Sequence, residues 1–137
     1  MADVLNVLMR WLHISSVVIL IGGMIFGRMV MWASAETLAP ETREGLSERA
    51  ATLFRPLAIV AMTCLVVSGV YNLLSNPGHT VTYHILLGIK LLLVLHVFAV
   101  AILVGQPGNK RRGRQMAGAA ISGLIIIAIA AYLRRIF

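Results

Sequence analysis

Four long apolar stretches alternate with shorter polar ones along this chain, at about residues 5–32, 56–75, 81–106 and 117–133. A helix needs roughly 20 mainly apolar residues, or about 17 at the short end, to cross a bilayer core. All four stretches meet that length. The pattern predicts an all-α integral membrane protein, a four-helix transmembrane bundle forming one domain over residues 1–137. The first stretch has an uncharged heart at 11–27, WLHISSVVILIGGMIFG. It is too long for a signal-peptide core, follows a weakly basic start and runs into Arg28 with no small-residue cleavage site. It reads as a span.

The polar segments differ in kind. Residues 34–55 hold Glu36, Glu41, Glu44 and Glu48, four of the five acids. Pro40 followed by ETREGLSERAATLF reads as a short amphipathic helix. Leu46, Ala50, Leu53 and Leu57 recur there at helical spacing as one apolar stripe. That helix is expected to lie at the membrane interface and lead into the second span. Asn76-Pro77-Gly78-His79 is a turn signal, with His79 solvated, and residues 105–114, GQPGNKRRGR, form a basic turn.

Composition agrees with the pattern. Hydrophobic residues make up 59% and charged residues 12%, against about 25% charged in soluble domains. The net charge of +7 would suggest nucleic acid in a soluble protein; in a membrane protein Lys and Arg set orientation instead. One side carries Arg28, Arg43, Arg49, Arg55, Lys110, Arg111, Arg112 and Arg114, and the other Arg10, Lys90, Arg134 and Arg135. The richer side is expected to be cytoplasmic, with both termini outside. The single cysteine, Cys64, excludes an intrachain disulfide and a CxxC redox pair, and reads as a small core residue.

No Asp or Glu lies within any span, which argues against a carboxylate proton relay. The ionisable residues at membrane depth are His13, Lys90, His96 and, near a span end, His84. Such groups are costly there and are functional candidates by default. Neutral imidazole is the commonest metal ligand and the usual axial ligand of haem iron. His13 and His96 are therefore candidate ligands of a haem, with His84 as an alternative partner for His13. Each histidine could instead simply bond a neighbouring helix. Counted from the span centres, His13 lies about 7 Å outward of the midplane and His96 about 4 Å inward at 1.5 Å per residue. Two haems, or one histidine ligand, is the other solution. Lys90 and Arg10 are candidates to pair with haem propionates.

Helical spacing sets His13, Ser16, Val17, Leu20, Met24 and Gly27 on one stripe. Gly22, Gly23 and Gly27, with Ser68-Gly69 in the second span and Gly118, Ser122 and Gly123 in the fourth, remove bulk for close helix packing or a flat ring. Met24, Met29 and Met31 raise Cu(I) as a second cofactor, although Met29 and Met31 point to nearly opposite faces.

Trp11-Leu12-His13, the Gly22-Gly23 pair and the run Gly88-Ile89-Lys90-Leu91-Leu92-Leu93-Val94-Leu95 together resemble the copper resistance D-like family of four-helix membrane proteins. They are also similar to the related small membrane protoporphyrinogen oxidases of bacteria. The resemblance covers about residues 5–135. It implies haem b, roles for His13 and Lys90, and a bacterial inner membrane. The copper-resistance name implies copper handling, for which the chain carries no acidic or Met-rich extramembrane site. The expected function is haem-based electron transfer with quinone or another small carrier. Protoporphyrinogen IX oxidation and copper transport are the alternatives. Four short helices make a thin bundle, so a homo-dimer or trimer is expected to shield the ring.

Overall fold

The computed structural model describes residues 1–75, 80–106, 108 and 110–135. Among these there is no strand. The chain forms α1 (Ala2–Phe26), a π-helical segment (Gly27–Met31), α2 (Trp32–Ala35), α3 (Pro40–Leu74), α4 (Val81–Val104) and α5 (Arg112–Arg135). The first three run on as one 34-residue apolar rod, so four helices are long and apolar enough to cross a membrane. The turn at 76–79, with His79, lies outside the described residues.

Local chemistry sets the helix starts. Pro40 opens α3 at a position where its missing N–H costs nothing. Thr80 caps α4, its hydroxyl accepting the Tyr83 N–H at 3.3 Å.

The helices pack antiparallel to their neighbours in the cyclic order α1, α3, α4, α5. The seams α1–α3 and α4–α5 are extensive, α1–α5 is intermediate and α3–α4 is the thinnest. Asn6 bonds Tyr71 at 2.8 Å near one end of the first seam, and Gly23 meets the Phe54 ring farther along it. Gly123 opens α5 to Ile21, whose side chain would lie 2.5 Å from an added Cβ. Gly27 does the same for Met116, at 3.0 Å to Sδ.

Small and medium residues fill the core: Leu20, Met24, Ala58, Ala61, Val97, Ala101 and Ala119 are all buried. Large aliphatics face outward. Val18, Leu92, Leu95 and Ile121 are each more than 60% exposed. A water-soluble monomer rarely shows so much apolar surface; lipid matches it. The protein is thus a multi-pass membrane protein with an all-α four-helix bundle.

The expected interfacial helix is not a separate element. Residues 40–74 form one helix that passes through Pro56. At 1.5 Å per residue it is about 52 Å long, well over the roughly 30 Å of hydrocarbon, so its first four turns overhang the span. The leucines of the expected stripe, Leu46, Leu53 and Leu57, are exposed, and the packed face of α3 is a different one: Ala51, Ala58 and Ala61 are buried, with Phe54 against the core. Within the span such small residues let helices approach closely.

Candidate functional site

His13 projects from α1 into the α1–α3 seam. Its Nδ1 lies 2.9 Å from the Ser68 hydroxyl, and that hydroxyl lies 2.6 Å from the Cys64 carbonyl. The directions follow from counting protons. Serine has one O–H, and a carbonyl can only accept, so Ser68 donates to Cys64 and accepts from His13 Nδ1–H. The ring is held in the tautomer that leaves Nε2 with its lone pair. Metal-binding histidines are commonly oriented in this way by a bond to the other ring nitrogen. Gly69, next along α3, keeps the ring edge clear: a Cβ there would stand 3.7 Å from His13 Cε1. Lys90 on α4 is half-buried.

His96 repeats half of this arrangement in the other seam. Its Nδ1 lies 2.9 Å from the Ser122 hydroxyl of α5, and a Cβ at Gly118 would stand 3.9 Å from its Cε1. Unlike His13, its side chain is exposed. It lines a groove of about 390 Å³ with Val100, Arg111, Arg114, Gln115 and Gly118.

The two histidines are not brought together. His96 lies across from 118–122 on α5, and Ile21 and Gly27 pack against Gly123 and Met116 of the same helix. His96 is therefore level with Met24, about eleven residues beyond His13, or roughly 16 Å along the axis. That separation is too great for both rings to meet one metal ion. His84, twelve positions before His96 on α4, is displaced about 18 Å towards the termini and so reaches the level of His13. It is exposed, and its ring meets Tyr83 edge-on at 5.8 Å. Arg10 is exposed one turn before His13.

The methionines do not converge. Met24 is fully buried in the core while Met29 is 69% exposed. Among the described residues no group of three or more His, Cys, Asp or Glu side chains could hold a metal ion.

Arg112 was legible only as one member of a basic turn, yet it is buried and joins three segments. Its guanidinium donates to the carbonyls of Val104 at 2.8 Å and Gln106 at 2.9 Å, to Ser47 Oγ at 2.7 Å and to Glu48 Oε1 at 3.2 Å. The Gly108 N–H also donates to Glu48, at 2.9 Å, from a left-handed backbone (φ +71°) that suits glycine. Glu48 lies on the overhanging part of α3. Its carboxyl is held below the usual carboxylate range, first by the Gly108 N–H. Partial desolvation pushes the other way, and the hydrogen bond and charge of Arg112 add to the lowering. Above this clamp is an apolar cavity of about 170 Å³, lined by Gly23, Trp32, Phe54, Val104 and Met116 among others.

Compared with known proteins, the chain matches no family model, no curated protein and no solved structure.

Proposed function

We propose that this protein binds b-type haem in a bacterial inner membrane and works in electron transfer, with His13 as an axial ligand. The observation that carries this reading is the His13–Ser68–Cys64 chain, which presents a basic Nε2 at membrane depth. The residues present fit the group in donor chemistry. An oriented imidazole suits ferric and ferrous iron, and Lys90 and Arg10 supply cations for propionates. When bound, haem would supply one-electron chemistry; the chain orients the ring and excludes water around it. His84, at the same level, is the candidate second ligand. The termini face the periplasm in this reading, because the Arg- and Lys-rich end is cytoplasmic. Quinone or another small carrier is the partner expected for a centre buried in lipid, and a homo-oligomer would shield its edge.

A second reading is an enzyme acting on a propionate-bearing porphyrinogen with haem as electron relay, for which Lys90, half-buried on α4, is the candidate cation. Copper handling draws no support from the scattered thioethers.

Purification in detergent followed by oxidised and dithionite-reduced spectra tests the reading. A Soret band with a reduced α-band is expected. A colourless protein that stays colourless after haem addition would overturn it. Complementation of a strain lacking protoporphyrinogen oxidase separates the enzyme from the carrier.

A further inference from the structure

The groove on the α4–α5 seam combines three features that the His13 site lacks. It opens on the outer surface of two membrane-spanning helices, it holds two guanidiniums at the basic end of the bundle, and it has one imidazole deeper in. Arg111 and Arg114 are exposed at the start of α5, where that helix leaves the basic turn. Gly118 follows Arg114 by one turn, about 6 Å farther into the membrane, and His96 sits against Gly118. Val100 lines the groove between the arginines and His96, and deeper than His96 the same two helices carry the exposed aliphatics Leu92 and Ile121, with Leu95 beside the histidine. In order of depth the polar groups are therefore two guanidiniums and then an imidazole, with apolar surface continuing beyond them.

We propose that this groove is a binding site for an anionic glycerophospholipid. The phosphate sits between Arg111 and Arg114, where guanidinium forks match its oxygens. An acyl ester carbonyl, a turn deeper, accepts from Nε2–H of His96, whose Nδ1 takes the Ser122 hydroxyl proton. The acyl chains lie along the aliphatic wall. A free phosphate would use only the first of the three surfaces, and a zwitterionic lipid would bring its own cation against the two arginines. The site is separate from His13 and does not depend on haem.

The test is native mass spectrometry of the purified full chain released from detergent with equal amounts of dioleoyl phosphatidylglycerol and dioleoyl phosphatidylcholine. The wild type should retain the anionic lipid several-fold over the zwitterionic one. The Arg111→Gln/Arg114→Gln double variant should lose the preference. Lys110→Gln, which removes a neighbouring charge outside the groove, should keep it. His96→Phe should weaken retention of the anionic lipid with the preference remaining, and excess glycerol phosphate should not displace it. Equal retention of the two lipids by the wild type would overturn the proposal whether or not any variant folds. So would an undiminished preference in the double variant, equal loss in Lys110→Gln, or displacement by glycerol phosphate.

Discussion

In the α1–α3 seam, Nδ1 of His13 meets a serine whose proton is already committed to a carbonyl. In the α4–α5 seam, Nδ1 of His96 meets a serine at the same 2.9 Å, but the ring stays exposed and looks towards two arginines. The local device is shared: an imidazole on one helix, with a serine and a glycine on its neighbour. What differs is the second layer. His13 has a fixed tautomer and a half-buried position. His96 has an open groove. Two histidines that look equivalent as residue types in two spans thus sit in different surroundings, one half-buried in a seam and one on an open groove.

The largest expected effect that separates the seams is on haem affinity. Ser68→Ala removes the acceptor for His13 Nδ1–H and should weaken haem binding about 10–100-fold in a titration followed at the Soret band. Ser122→Ala should leave that affinity unchanged; equal losses would erase the distinction. Next comes the clamp beneath the His96 groove. Arg112→Ala removes donors to four groups and should cost about 1.5–3 kcal/mol in denaturant unfolding, with haem affinity retained in the folded fraction. The seam of His13 can be stressed separately. At Gly23 an added Cβ runs into Phe54, whereas at Gly22 it meets nothing within 4 Å. Gly23→Ala should therefore destabilise by about 1–3 kcal/mol, and Gly22→Ala should not; thermal unfolding of the pair reads the difference.

The smallest effect is a pH dependence. The Glu48 pKa is lowered on folding, so its contribution is present above the unfolded carboxylate value and is lost as pH falls through the folded value. Stability should dip slightly on acidification below the usual carboxylate range, and Glu48→Gln should remove that portion of the slope. The change is small because the carboxyl stays partly open to solvent.

Much of the fold was legible in the sequence. Apolar length alone placed four spans, and the stripe through Ser16, Leu20 and Met24 lies on the buried face of α1 and continues to Gly27 in the π-helical segment. The boundary between an interfacial helix and the second span is what the sequence misplaces. Pro56 hides the continuity of α3 because its sequence context looks like a boundary, and the leucine spacing does not mark the face of α3 that packs, which carries Ala51, Ala58 and Ala61. For the site, His13, His96 and Lys90 stood out as ionisable groups at depth. Their partners did not: Ser68 and Ser122 read as small residues, and only the helix register shows that they bond the two rings. Arg112 was indistinguishable from Arg111 and Arg114 in a basic run, since burial is set by the bend of the chain and not by residue type.

The most direct measurement is the haem content of purified His13→Ala and His96→Ala, each reconstituted with haem and compared with wild type by the Soret band at matched helical content. Loss of the band in His13→Ala with retention in His96→Ala is the predicted result. Retention in His13→Ala, or loss only in His96→Ala, would contradict the assignment of the axial ligand to the α1–α3 seam.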